Sequence, residues 1–204
     1  MAGKIILIEG PDSTGKTSLY NAIYELSKSD YLHASRYEIG NDKAYETLYH
    51  NTLDAALLLR KAGHTVVLDR HLISNIIYDA VFENVFHDNG AFVEQMLGLI
   101  DAVVMSLPKD KSVYLKKFEE MKASRAELYG EMATIYDAYH TLWTGAVDQP
   151  TVCLQHSWYK SVLDQYLNLS SYMLAKFPNC KCIRYDMQST SLVDLPGLAK
   201  DILA

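Results

Sequence analysis

The run Gly10-Pro-Asp-Ser-Thr-Gly15-Lys16-Thr17 has residue types and spacing suited to holding a chain of phosphates. Glycine, four residues, glycine, lysine and a hydroxyl residue form the Walker A arrangement. The glycines permit backbone angles and close approach that a Cβ forbids, so successive N–H groups can point inward at phosphate oxygens. A helix opening at Lys16 would add its positive amino-terminal end to the same anion. Lys16 should then reach the β- and γ-phosphates, and the Thr17 hydroxyl should ligate Mg²⁺. We read Gly10, Ser13, Thr14, Gly15, Lys16, Thr17 and Ser18 as the ATP-binding set. The motif follows an apolar run and precedes an amphipathic one, a context that argues against a chance match.

A second group of reactive types lies at Asp69-Arg70, followed by Ser74, Asn75 and Tyr78. A carboxylate at the carboxyl end of a strand in an open parallel sheet stands where ligands bind. Arg70 offers a planar fork of donors suited to bidentate phosphate contact, or else to a structural ion pair. Asp12 places a negative charge inside the phosphate loop, where it needs a reason; a solvent-facing turn residue is the plain alternative. Positions 74 and 78 share one helix face, and Ser74 could equally be the helix cap. The guanine-reading pattern Asn-Lys-x-Asp is missing: Asn41-Asp42-Lys43 lacks it, and Asp194-Leu-Pro-Gly197 matches a GTPase pattern only loosely.

The elements that must position these residues can be read from periodicity. Lys4 to Glu9 is a β-branched run typical of a strand buried on both faces, and Leu19, Ile23 and Leu26 recur at helical spacing over Lys16 to Lys28. A strand near Leu32 to Tyr37 precedes a helix from about Asp42 to Ala62, closed by Gly63. Further strands are expected at Thr65 to Asp69, Ala102 to Leu107 and Cys180 to Tyr185. Helices are expected at about Ser74 to Phe86, Asp110 to Lys122, Ala126 to Trp143, Tyr159 to Lys176 and Leu192 to Leu203. Strands separated by helices imply an α/β three-layer sandwich around a five-stranded parallel sheet, since parallel neighbours need a crossover. Thr144 to Ser157, with Gly145 and Pro150 and no clear period, reads as an inserted loop within one domain spanning 1–204.

Composition narrows the partners. With 19 Lys and Arg against 25 Asp and Glu, the net charge is −6, which argues against a broad basic face for nucleic acid. No apolar run approaches the roughly 18 residues of a membrane helix, and Met1 leads straight into a strand-like segment. A cytoplasmic protein is expected. Cys153, Cys180 and Cys182 lack the spacing of a metal tetrad and read as reduced thiols.

The segment Val66-Val-Leu-Asp69-Arg70-His71-Leu-Ile-Ser74-Asn75-Ile-Ile-Tyr78 resembles the thymidylate kinase family of nucleoside monophosphate kinases. The preceding Leu58 to His64, with its helix and Gly63, and Glu9-Gly10-Pro-Asp12 resemble the same family's patterns. The likeness covers about residues 3–107 and returns near 176–203. It implies a P-loop kinase fold with a helical lid, here at about 109–160, and a homodimer. It also implies that Arg70 grips the acceptor's α-phosphate, that Asp12 accepts the sugar 3′-hydroxyl, and that Asn75 meets the base edge with Tyr78 near the sugar. Tyr45 falls where an aromatic ring stacks on the acceptor base, although it also fits the apolar stripe of its helix. Arg36 and Tyr37 fall where the family contacts the acceptor phosphate. Asp69 would hold the Mg²⁺ shell or orient the attacking oxygen; a capping carboxylate is its plain alternative.

Two departures stand out. The arginine that the family commonly places four residues after the stacking ring is Tyr49 here, which leaves the base open to a different or modified pyrimidine. No basic residue lies between Asp12 and Gly15, so charge on the migrating phosphoryl group must be met from the lid, where Lys116, Lys117, Lys122 and Arg125 occur. Arg125 is the chosen candidate. A solvated helix face, with Glu119 paired to Lys122, is the alternative.

The sequence thus leads to an enzyme moving the γ-phosphoryl group of ATP to a pyrimidine deoxynucleoside monophosphate, dTMP or a relative, with Lys16, Asp69, Arg70 and Arg125 as the catalytic set. The competing readings are a deoxynucleoside kinase, for which Glu38 is a candidate base, a kinase of a modified nucleotide in DNA, and a non-catalytic nucleotide-binding regulator. Lys16→Ala is expected to abolish phosphoryl transfer, measured as loss of ADP formation at saturating acceptor.

Overall fold

The computed structural model describes residues 3–34, 42–78, 95–121, 132–140 and 181–204. Its strands are β1 (Ile5–Glu9), β2 (Asp30–His33), β3 (Val66–Asp69), β4 (Ala102–Ser106) and β5 (Lys181–Tyr185). They form one parallel sheet in the order β2-β3-β1-β4-β5. From the central β1 the chain runs one way to β2 and β3 and the other way to β4 and β5. The crevice outside the carboxyl end of β1 is therefore a topological switch point, the place where open α/β sheets bind ligands.

Alternation along the strands explains the layers. Ile5, Leu7, Val66, Leu68, Val103 and Met105 share one apolar cluster, while Ile6, Ile8, Val67, Ala102 and Val104 belong to a second. Successive side chains of a strand point to opposite faces, so each strand supplies both. The second cluster is completed by Leu19 and Ile23 of α1 (Lys16–Ser27) and by Leu195, Ala199 and Ile202 of α6 (Leu195–Leu203). The first is covered by α2 (Asp42–Lys61), α3 (Leu72–Tyr78), α4 (Lys111–Met121) and α5, a helical segment over 132–140. This is the expected α/β sandwich with helices on both faces of a five-stranded parallel sheet.

α4 and α5 lie within the span read as a lid. Their residues Tyr114, Leu115, Phe118, Met132, Ile135, Tyr136 and Tyr139 are buried in the same core as β3 and β4. The described part of that span is thus packed against the body of the protein. The expected helix over Tyr159 to Lys176, the loop at 144–157, and the positions of Arg36, Tyr37 and Arg125 lie outside the described residues, as does the side chain of Tyr45.

Element ends differ from the sequence reading in instructive ways. β2 starts at Asp30, two residues before the expected Leu32, because α1 stops at a left-handed Lys28 (φ 50°) whose N–H donates to the Tyr24 carbonyl at 2.7 Å. The turned chain can then begin pairing at once, with the Asp30 N–H donating to the Thr65 carbonyl at 2.9 Å. α2 ends as expected at Gly63, which sits at φ 94°. There the Gly63 N–H reaches the Arg60 carbonyl and the His64 N–H reaches the Leu59 carbonyl, the paired bonds of a Schellman turn. The last helix begins at Leu195 and not Leu192, with Pro196 in its first turn, where a missing N–H costs nothing. Leu192 and Val193 are left exposed before it.

Among the described residues no helix is long and apolar enough to cross a membrane. Leu68 is fully buried at the centre of the first cluster, so Leu68→Ala should cost about 3 to 4 kcal/mol of unfolding free energy in a urea titration. Leu58→Ala, at a side chain 69% exposed on the solvent side of α2, should change it by under about 0.5 kcal/mol.

Candidate functional site

The phosphate loop leaves β1 through Gly10 at φ 143° and enters α1 through Gly15 at φ 88°, with Ser13 at φ 61° between them. A Cβ on Gly10 would lie 2.2 Å from the Ser106 carbonyl oxygen, so β4 allows nothing larger there. At Gly15 it would meet the Tyr185 hydroxyl at 2.9 Å. The loop is laced from within. Thr14 Oγ1 donates to the Pro11 carbonyl at 2.9 Å, and Ser106 Oγ donates to the Thr14 carbonyl at 2.8 Å. Lys16 Nζ donates to the carbonyls of Gly10 at 3.0 Å and Pro11 at 2.7 Å, which wraps the loop around the ammonium. Burial pushes the Lys16 ammonium down to about 7, with the Arg70 charge adding to the effect. A cation this poorly solvated is suited to an anionic ligand. Thr17 and Ser18 stand exposed on the first turn of α1.

The end of β3 faces this loop. Arg70 donates its N–H to the Ile8 carbonyl at 2.9 Å and adopts φ 66°, a left-handed conformation uncommon for a residue with a long side chain. That turn aims its guanidinium at the Asp12 carboxylate, with which it pairs, and over the Tyr78 ring at 5.0 Å from the centroid. Asp12 and Arg70, 58 residues apart in sequence, are thereby brought together beside Lys16. Asp69 Oδ2 accepts from the Tyr31 hydroxyl at 2.6 Å, while its Oδ1 is buried without a hydrogen-bond partner. Desolvation and the bond to Asp69 raise the Tyr31 phenol, which stays protonated and remains a donor. His33 Nδ1 lies 2.7 Å from the Asp69 carbonyl oxygen.

Ser74 and Asn75 turn inward. The Tyr49 hydroxyl donates to Asn75 Oδ1 at 3.0 Å, and the Tyr49 ring packs on His71 at 4.8 Å. Tyr49, at the position where the resembled family commonly has arginine, is thus a buried neighbour of Asn75. The Ser74 hydroxyl donates to Glu9 Oε2. The Tyr139 hydroxyl lies 2.7 Å from Ser74 Oγ, where either oxygen can donate, and donates to Glu9 Oε2 at 3.4 Å.

Glu9 is the residue that sequence reasoning missed, quoting it only as part of a family pattern. Fully buried at the end of β1, its Oε1 accepts the His71 N–H at 2.9 Å and the Ser74 N–H at 3.4 Å. The available signal was an acid closing a run of four apolar residues in what had to be a central strand. Among the described residues no group of three or more His, Cys, Asp or Glu could hold a metal ion.

Comparisons with known proteins show a shared fold. The structure is similar to that of the YorR protein of Bacillus subtilis, solved in complex with phosphorylated GDP. The TM-score is 0.62 at 17% identity, over 98% of this chain and 93% of that one. It aligns more loosely with thymidylate kinase from Candida albicans, with a TM-score of 0.49 at 14% identity over 99% and 91% of the two chains. Deoxyadenosine kinase from M. mycoides with bound dATP aligns with a TM-score of 0.46 at 14% identity, over 98% of each chain. No family model and no curated protein matches the sequence.

Burial raises the Glu9 carboxyl from its ordinary 4.5 to about 7, against the pull of its donors. The folded protein then holds this proton more tightly than the unfolded chain, so the stability it contributes is full below pH 4.5 and is lost as pH rises through about 7. His71, which burial pushes from 6.5 down to about 4, works in the opposite direction: its contribution is present above 6.5 and is lost as pH falls through 4. Glu9→Gln removes only the first effect. Between pH 4.5 and 7 the wild-type unfolding free energy should fall by about 3 kcal/mol relative to this variant in parallel urea titrations. A difference that stays constant across that range would contradict the buried-acid assignment.

Proposed function

We propose that the chain is an ATP-dependent nucleoside monophosphate kinase of thymidylate kinase type, acting on a pyrimidine deoxynucleoside monophosphate. The observation that carries this reading is the meeting of Arg70 and Asp12 across the crevice beside Lys16. One cation belongs to a loop built to cradle a triphosphate. The other comes from a neighbouring strand end, close enough to serve a second anion. A nucleotide-binding protein that transfers nothing has no need of this second cation.

In this reading the backbone N–H groups of the phosphate loop and Lys16 bind the ATP phosphates, and Arg70 binds the phosphate of the acceptor. Asp12 orients Arg70 and takes a sugar hydroxyl. Little covalent chemistry falls to the protein, so catalysis is alignment of donor and acceptor plus neutralisation of charge. Mg²⁺ fits the residues present, because the buried Asp69 Oδ1 lacks a partner and the Thr17 hydroxyl stands at the head of α1. Those two would hold it, and bound there it would neutralise charge on the phosphates. Such a sparse protein ligand set is usual for Mg²⁺, which keeps waters and takes its other ligands from phosphate. Arg125 remains our candidate for the migrating phosphoryl group, and Arg36, Tyr37 and Tyr45 for the acceptor. From the resemblance also comes a homodimer, and from the sequence reading a cytoplasmic site of action.

An acceptor screen with ATP and a panel of nucleosides, nucleoside monophosphates and oligonucleotides tests the reading. Phosphorylation of a pyrimidine deoxynucleoside monophosphate supports it; transfer only to nucleosides, only to oligonucleotides, or to nothing overturns it. With the preferred acceptor, Asp12→Ala should raise the acceptor KM by about tenfold or more, the scale of one charged hydrogen bond, and leave the ATP KM within about twofold. Equal effects on both substrates would remove Asp12 from the acceptor site.

A further inference from the structure

We infer that Tyr31, on the edge strand β2, is a positioning residue that orients the Asp69 carboxylate toward the metal of the donor site. The inference rests on the phosphoryl-transfer reading above, in which Asp69 is a metal ligand. Three observations carry it. The Tyr31 hydroxyl donates to Asp69 Oδ2 at 2.6 Å, which fixes the rotation of the carboxylate group. The other oxygen, Oδ1, is buried and has no hydrogen-bond partner among the described residues, so a good acceptor is held out of water unpaired. An orphaned carboxylate oxygen is costly unless something cationic is meant to meet it, and Asp69 is close enough to the Lys16 ammonium of the phosphate loop to interact with its charge.

The third observation is the support behind Tyr31. Its ring packs against Tyr20 of α1, with centroids 4.7 Å apart. α1 is the helix that the phosphate loop opens, so Tyr31 spans from the donor helix to the strand-end carboxylate. The sheet register makes this reach possible. Leu32 pairs with Leu68 and His33 with Asp69, which puts Tyr31 and Asp69 in a diagonal relation on adjacent strands, within reach of a tyrosine. His33 holds the backbone of the same aspartate through its carbonyl, so Asp69 is fixed at both main chain and side chain. A hydrogen-bond partner of a metal-binding carboxylate typically governs metal affinity by ten- to a hundredfold. Tyr31 is 44% exposed, which places its effect at the lower end.

Tyr31→Phe removes the hydroxyl and keeps the ring against Tyr20. Mn²⁺ is titrated into the protein loaded with an ATP analogue whose β–γ bridging oxygen is a methylene, and bound metal is read by electron paramagnetic resonance. The variant should bind Mn²⁺ about tenfold more weakly, with an unchanged urea midpoint. In an Asp69→Asn background the same change should shift Mn²⁺ affinity by less than about twofold, because the group it orients is gone. In the transfer assay kcat should fall at low metal and recover at high metal, with the ATP KM at saturating metal unaltered. Tyr24→Phe, in the neighbouring exposed ring, should match wild type throughout. Tyr31→Phe with wild-type Mn²⁺ affinity, or an equal loss in the Asp69→Asn background, would overturn the inference. Because metal binding is read without turnover, that result differs from a wild-type protein that phosphorylates no acceptor, which would instead defeat the proposed function.

Discussion

A carboxylate withdrawn from water has to be surrounded by donors, and in this protein that requirement fixes the site. Glu9 ends the central strand with no solvent exposure, and an unassisted charge there would cost several kcal/mol. Its donors are the N–H groups of His71 and Ser74 and the Ser74 hydroxyl, all from the turn and first helical residues after β3. The turn is drawn onto the end of β1, where the phosphate loop departs. Asp69 and Arg70, immediately before it, are thereby set at a fixed distance from Lys16. Tyr139 completes the chain of hydroxyls, tying α5 to the same point.

The crevice that results mixes charges. The Arg70 charge weakens the charged form of Lys16, and Asp12 and Asp69 offset part of that repulsion. Two cations converge there on a region walled by buried strand ends, a geometry that favours anions more strongly than an open surface would. The left-handed backbone of Arg70 is the local cost of aiming the second cation inward, toward the Asp12 carboxylate in the crevice.

Much of the fold was legible because it rests on local rules. Buried β-branched runs gave β1, β3 and β4 to within a residue, Gly63 marked the end of α2, and strand-helix alternation required a parallel sheet. The ends set by backbone conformation were less visible: nothing in the type of Lys28 announces a left-handed cap, so β2 was placed too late. At the site, the phosphate loop was legible because its pattern is contiguous. The pairing of Asp12 with Arg70 was not, since each looked ambiguous alone and only the sheet order brings them together. Ser74 could be read as a cap or as a contact to ligand; it lies inside α3 and joins a buried network whose acid, Glu9, looked like an ordinary strand terminus. Tyr31 gave no signal at all, because a tyrosine on a short edge strand is usually only a half-covered ring.

The two margins of the described sheet are short and polar. β2 contributes four residues, among them Asp30 and His33, and β5 carries Lys181 and Arg184 in its five. Brief, charge-bearing borders make poor templates for strand addition from another molecule. The described borders therefore offer little to a strand arriving from a second copy, and the carboxyl-end crevice between them is framed by strands that favour loops and helices as neighbours.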